Sequence, residues 1–461
     1  MDIAQRITKI GLFDPDWYVQ TYPDAAAAAQ EPVRHYLSVG VQRGYAPSAG
    51  ADVIFHMDIY GLNRTSSAGE ILAHMAAHFG GRYAGAQIAR LPWALDRLAR
   101  RGRAALAARI AQTALPADLG QIAHILAANM AAAQMDMAAW LGALNAYLDH
   151  FGMAAVSGSL SQFGPTTPEG WITSLTAAPR AQVQGGPLVS VIMPVWQSRA
   201  TVAAAVASVL AQGWQNLEII AVDDASNDGS GQILSDMAAR DDRLKILRNC
   251  VNVGPYVARN RALGLARGDW ICCHDADEWA HPDRIAMHMD WVLATGAPPV
   301  SQIGMLRMTQ AGQISQIDRV GGHTFDGALR PCPSAALFHA PFLRQTLGAW
   351  ESMRFGADHE MVARAKLALG HDAPMLARPL VLSLDHPASL TRRKDTGLAG
   401  GAVSPLRRAY LTYRTDKIAA LASLQGAQQQ RALFEEFPPR TPSTLPPEIA
   451  VPLADIAQCL R

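Results

Sequence analysis

Between Leu188 and about Thr391 the chain alternates short, wholly apolar runs with segments whose apolar residues recur at helical spacing. VSVIMPV, from Val189 to Val195, is continuous and rich in β-branched residues, which predicts a strand buried on both faces. The next segment sets Val202, Val206, Val209 and Leu210 on one helical face. LEIIAVDD, from Leu217 to Asp224, repeats the strand, and Ile233, Leu234, Met237 and Ala238 repeat the stripe. RLKIL, a helix around Val257 to Ala266, and DWICC continue the series. Such alternation with short connections predicts a parallel sheet covered by helices on both faces. Ligands of such sheets bind beyond the carboxyl ends of the strands, and those ends read PVWQ, VDDASNDGS and HDADE.

The rest of the chain has other textures. Residues 1–50 are punctuated by aromatics, Pro, Asp and Gly and predict a small helical module, with Asp14 and Asp24 as caps and Gly40 and Gly44 as stop and turn. Residues 51–155 are Ala-rich and predict packed helices. Residues 156–187 read as a linker, 188–395 as the strand–helix domain, and 396–461 as a helical and then Pro-rich tail, its EEFPPRTPSTLPPE stretch extended or disordered. Arg97, Arg100, Arg101 and Arg103 lie near Leu95, Leu98 and Leu106, so this helix either touches an anionic membrane peripherally or presents a solvated face.

Charge narrows the partners. Forty Lys and Arg against 39 Asp and Glu leave a net charge of +1, which gives no overall attraction to nucleic acid. No leader pattern and no bilayer-length apolar run stand out, so a cytoplasmic protein, at most peripheral at the inner membrane face, is expected. The five cysteines are scattered and odd in number, which suits reduced thiols. Vicinal Cys272 and Cys273 face opposite sides of a strand and read as small core residues.

The candidate chemistry is acidic. Asp275, Asp277 and Glu278 fall within four residues at the end of an apolar run, and Asp223 and Asp224 end another. Parallel geometry would bring them to one rim, where unpaired buried carboxylates cost several kcal/mol. A hard divalent ion, Mg²⁺ or Mn²⁺, carrying a diphosphate would resolve the conflict. The alternative is that these residues cap helices and shape turns, the reading preferred for Asp228 and Asp283.

PLVSVIMPVWQ, AVDDASNDGS and NVGPYVARNRALGLARGDWICCHDADE, in this order, resemble the nucleotide-binding half of family 2 glycosyltransferases of the GT-A fold. The resemblance extends through GAWESMRFGADHEMVAR and LDHPASLT. The sequence departs from the family's pattern with Ala357-Asp358 where Glu-Asp is common and Trp196 where Tyr or Phe is common. Residues 1–50 are similar to a short module appended to bacterial polysaccharide-related enzymes. The fold implied is a GT-A, Rossmann-like α/β domain with a mixed, mainly parallel sheet, preceded by a mainly helical region.

The resemblance also implies a site. Asp223 would accept the N3–H of uracil, with Trp196 and the backbone near Pro194 against the base and Asp224 beside it. Arg259 would contact the nucleotide, Asp275 the ribose and metal, and Asp277 the metal, which His386 would complete. Asp358 would be the catalytic base, with Glu360 as its rival. The activity implied is inverting, metal-dependent transfer of a hexosyl or N-acetylhexosaminyl group from a nucleotide-sugar donor, a UDP-sugar, to a glycan or lipid-linked acceptor in polysaccharide biosynthesis. Two other readings stay open: a nucleotidyltransferase, and a degenerate domain that only binds glycan or protein.

Overall fold

The computed structural model describes residues 2–28, 30–62, 66–158, 170–397, 403–440 and 443–460. The chain divides into two compact units, Met1–Tyr147 with Gln316–Ala328, and Leu148–Ser315 with Leu329–Arg461.

The first unit is helical. Asp14 caps Pro15–Thr21 by accepting from Trp17 N at 3.0 Å, and Gly44 closes a helix with φ 71°. Asp24 makes no cap and instead accepts from Tyr45 Oη at 3.0 Å and pairs with Arg43. Phe13, Tyr18 and Tyr36 form one core, and Leu91, Leu95, Leu98 and Leu106 another. The basic face is spoken for: Arg97 binds Asp58 at 2.9 Å, Arg100 binds Asp96 at 2.7 Å, Arg101 binds Asp52 at 3.0 Å, and Arg103 donates to Ser48 O at 2.9 Å. Guanidiniums held this way brace helices and leave little charge for a lipid surface. No described helix is long and apolar enough to cross a membrane. The excursion 316–328 also belongs here, where Asp326 accepts from Tyr147 Oη at 2.7 Å.

The second unit is the strand–helix domain. Its strands are β1 (Val189–Val195), β2 (Leu217–Asp223), β3 (Leu244–Arg248), β4 (Trp270–Cys273), β5 (Glu278–Ala280), β6 (Val300–Thr309), β7 (Arg330–Pro331), β8 (Leu337–His339) and β9 (Met375–Asp385). They form one sheet in the order β3-β2-β1-β4-β8-β6-β9-β5, with β7 beside β6. The β3-β2-β1-β4 half is parallel, and so is β6 with β9, whereas β8 runs antiparallel to both β4 and β6. The sheet is therefore mixed and mainly parallel.

The apolar runs are continuous because both faces are covered. Val191, Met193, Ile219 and Ala221 enter one core, and Ile192, Ile220 and Val222 enter the other, as the two-residue period of a strand requires. Helices α1 (Val202–Leu210), α2 (Ser230–Ala238), α3 (Gly254–Leu263) and α4 (Arg284–Ala294) follow β1, β2, β3 and β5. After α5 (Ala357–Leu369) and β9 come α6 (Pro405–Ser423), α7 (Gly426–Leu433) and α8 (Leu453–Cys459).

One stretch read as a linker is packed where described. In the 156–187 stretch, Ser157–Gly158 pairs with Leu175–Thr176, and buried Trp171 donates from Nε1 to Thr309 O at 3.0 Å; residues 159–169 lie outside the described residues. EEFPPRTPSTLPPE is helix-free and exposed or half-buried where described, whereas in the segment just after it Ile449 and Val451 are buried, Arg354 N donates to Ile449 O at 2.7 Å, and Val451 N donates to Ser352 O at 2.8 Å. Apolar residues spaced among prolines supply enough burial to dock it.

Candidate active site

Register places Val195, Asp223 and Arg248 side by side at the carboxyl edge of β1, β2 and β3. Pro194 is buried within β1 and Trp196, the first residue beyond it, is 48% exposed. Gln197 then turns with φ 49°, and its N–H donates to Ser226 Oγ at 3.1 Å, while Ser198 N donates to Ser230 Oγ at 2.9 Å. The loop after β1 is thus sewn to the loop after β2. Asp228 accepts from Arg199 N at 2.9 Å and Ser230 N at 3.0 Å, holding the entry to α2.

The adjacent aspartates have different tasks. Asp223 is buried, its Oδ1 accepts from Ser226 N at 2.9 Å, and its Oδ2 has no hydrogen-bond partner among the described residues, with Arg248 Nε 3.3 Å away. A Cβ at Gly231 would stand 2.5 Å from that oxygen, so glycine keeps the space open. Asp224 is saturated instead. Its Oδ1 accepts from Asn249 Nδ2 at 2.6 Å and Val253 N at 3.0 Å, and its Oδ2 from Asn252 Nδ2 at 2.9 Å and Gly254 N at 2.7 Å. Burial pushes its pKa up against these donors. Asp224, read from the sequence as nucleotide-binding, is an organiser of the α3 entrance with no free lone pair to spare.

The clustered carboxylates Asp275, Asp277 and Glu278 find three separate accommodations. Asp275 Oδ1 accepts from Arg259 Nη2 at 2.7 Å. Burial raises the Asp275 pKa; Arg259 opposes that rise, and the charges of Asp358 and Asp277 add to it. Glu278 is buried on β5, and desolvation followed by Asp275 and Asp277 pushes its pKa up to about 8, so at neutral pH it keeps its proton. Beside it, buried His274 is held neutral by burial and by Arg284, whose Nη1 lies 3.0 Å from its Nδ1. Asp277 has its Oδ2 3.2 Å from His386 Nε2, and both side chains are partly exposed.

Arg259, expected from the sequence to contact the nucleotide, is buried rather than a surface helix residue, and it bridges two protein carboxylates, Asp275 and Asp358. Its Nη1 donates to Asp358 Oδ1, and Tyr256 Oη donates to Asp358 Oδ2 at 2.7 Å. Tyr256 Oη also accepts from Gly356 N at 3.0 Å, and Asn260 exchanges two hydrogen bonds with Trp350, at 2.8 and 2.9 Å. One face of α3, at i, i+3 and i+4, therefore holds the whole approach to Asp358. Tyr256 was not singled out from the sequence, although its spacing from Arg259 was visible.

Asp358 itself is the second residue of α5, whose cap is Gly356 at φ 86°, so its carboxylate is not spent on capping. A Cβ at Gly356 would meet Tyr410 at 2.4 Å. Glu360, the rival base, is fully buried, with Arg364 Nε at 2.7 Å and Lys417 Nζ at 2.9 Å, and can reach no acceptor. Asp283 also departs from expectation: rather than capping α4 it accepts from Arg180 N at 2.7 Å and Ala154 N at 3.1 Å.

Among the described residues no group of three or more His, Cys, Asp or Glu side chains forms a complete protein cage for a metal. Asp277 and His386 meet without Asp275, whose Oδ1 is drawn to Arg259. An oxygen and an imidazole nitrogen, both partly open, suit a hard divalent ion that takes its other ligands from water and phosphate.

Comparison with known proteins bears on the same segment. Residues 190–306 match the family model described as glycosyl transferase family 2. An uncharacterized glycosyltransferase of Haemophilus influenzae is 36% identical over 23% of this chain and 43% of its own length. The succinoglycan biosynthesis protein ExoO of Rhizobium meliloti is 30% identical over 40% of this chain and 57% of its own. The crystal structure of S. aureus TarS 1-349 in complex with UDP-GlcNAc aligns with 53% of this chain and 70% of that one at 17% identity and a TM-score of 0.41. The chain spans about half the length of the curated relatives it matches. Strands β2 to β5 and all of β1 but Val189, with Asp223, Arg259 and the Asp275–Glu278 cluster, lie within the segment, residues 190–306, that matches the glycosyl transferase family 2 model.

Proposed function

We propose that this chain is an inverting glycosyltransferase that moves a sugar from a nucleoside diphosphate donor, a UDP-sugar, to a hydroxyl of a glycan or lipid-linked acceptor. The observation that carries this reading is the Arg259 bridge, which joins Asp275 at the end of β4 to Asp358 at the start of α5. Donor-side and acceptor-side carboxylates are thereby held by one cation at the strand ends where such folds bind ligands. The relative named for succinoglycan biosynthesis supports a polysaccharide product.

In this reading the buried Asp223 Oδ2 receives the imide N–H of uracil, a donor that would satisfy an acceptor otherwise left costly. Trp196, half exposed and next in the chain after Val195, the register partner of Asp223, supplies an aromatic face for the base. The acceptor oxygen forms a bond to the anomeric carbon while the bond from that carbon to the diphosphate oxygen breaks, and the hydroxyl proton passes to Asp358. Tyr256 and Arg259 hold both Asp358 oxygens, so the base enters the reaction already oriented. A Mn²⁺ or Mg²⁺ ion, when bound, supplies Lewis-acid neutralisation of the leaving diphosphate. Asp277 and His386 would hold it, with Asp275 alongside.

The test is nucleoside diphosphate release from a panel of UDP-hexoses and UDP-N-acetylhexosamines with Mn²⁺, using the full chain. Asp358→Asn should lower release by about 10²-fold or more, the usual range for loss of a general base. Release that is unchanged in both Asp358→Asn and Asp277→Ala would sink the proposal.

A further inference from the structure

Two cysteines far apart in sequence are neighbours in the second unit. Cys250 is exposed in the turn after β3, and Cys459 is buried as the last residue of α8. The Cys250 thiol donates to Gln458 O at 3.4 Å, and the Cys459 thiol donates to Val251 O at 3.4 Å. Each sulfur thus lies against the residue next to the other cysteine. Val253, Ile456 and Cys459 share a small apolar core that keeps the two segments side by side. Asn249 and Asn252, on either side of Cys250 and Val251, are residues that bind Asp224.

We propose that Cys250 and Cys459 form a site of reversible intrachain disulfide formation, with a peroxide as the oxidant, that staples α8 to the turn after β3. The exposed Cys250 thiolate attacks one peroxide oxygen, the O–O bond breaks, and a sulfenic acid forms with release of one water. The Cys459 sulfur then attacks the Cys250 sulfur, the S–S bond forms, and the hydroxyl leaves with the thiol proton as a second water. Two thiols lose two electrons and two protons, and one peroxide becomes two waters. A small dithiol reverses the bond by exchange. The buried Cys272, Cys273 and Cys332 take no part. The proposal stands independently of glycosyl transfer.

The full chain is treated with a small excess of hydrogen peroxide, alkylated with N-ethylmaleimide under denaturing conditions, and mapped by mass spectrometry. The expected result is a fall from five to three alkylated thiols, a linked Cys250–Cys459 peptide and a monomeric band without reductant. The melting temperature should rise by a few degrees and return with dithiothreitol, because closing so long a loop restricts the unfolded chain. Cys459→Ser should lose the link and the shift while Cys250 proceeds to sulfinic acid. Cys250 overoxidised or joined to a second chain in the wild type, with Cys459 still free, would overturn the proposal.

Discussion

Asp275, Asp277 and Glu278 show how residue-scale physics separates neighbours of like charge. Arg259 compensates the first, retained protonation neutralises the third, and partial exposure beside His386 serves the second. Asp358 is the fourth carboxylate of the group, and it depends on Tyr256 as much as on Arg259. Tyr256→Phe keeps the ring and removes the donor to Asp358 Oδ2. A hydrogen bond to a charged group contributes about 1.5–3 kcal/mol, so kcat should fall roughly ten-fold or more with donor KM nearly constant. A raised donor KM with an unchanged kcat would assign Tyr256 a packing role only. The aspartates were legible in the sequence because an apolar run ending in carboxylates is a local pattern. Arg259 was legible only as a candidate, because its partners Asp275 and Asp358 are set by two separate elements.

At the scale of elements, α6 locks α5 and with it Asp358 in its first turn. Lys417 on α6 reaches Glu351 at 2.7 Å, Glu360 at 2.9 Å and Glu435 at 3.0 Å, in a setting that is largely buried. Tyr410, from the same helix, fills the space over Gly356, and the Arg407 guanidinium stacks 4.6 Å from the Phe355 ring centroid. Lys417→Met removes the one lysine shared by three glutamates, and breaking a buried pair from one side costs about 3–5 kcal/mol. Urea unfolding of the second unit should show a loss of that size, with loss of transfer activity at temperatures where the unit stays folded. An unchanged midpoint would show that Arg364 alone carries the glutamates. None of this was visible in sequence, where GAWESMRFGADHEMVAR carried only a resemblance and residues 396–461 read as a tail. Long-range charge networks leave no periodicity. The three-residue strand β8 escaped for a related reason: its pairing with β4 and β6, not its own pattern, makes it a strand.

At the scale of the whole molecule, the parallel half of the second unit followed from continuous apolar runs and the positions of their carboxylate ends. The assignment of 316–328 to the helical unit did not, because an excursion from a sheet domain carries no local signal of where it will pack. The docking of Ile449, Val451 and Ile456 just beyond the Pro-rich stretch was missed because the prolines before them outweighed them in the reading. The central claim, a nucleoside diphosphate site running from Asp223 to Asp277, is tested most directly by a thermal-shift titration. The full chain is titrated with UDP, GDP, dTDP and CDP, each with and without Mn²⁺, beside Asp223→Asn and Asp277→Ala. UDP at about 100 times Kd stabilises the folded state by about 2.7 kcal/mol, so the melting temperature should rise with UDP and Mn²⁺ together. Asp277→Ala should abolish the dependence on Mn²⁺, and Asp223→Asn should abolish the preference for UDP. A chain whose melting temperature is raised by none of the four nucleotides, with or without Mn²⁺, would contradict the account.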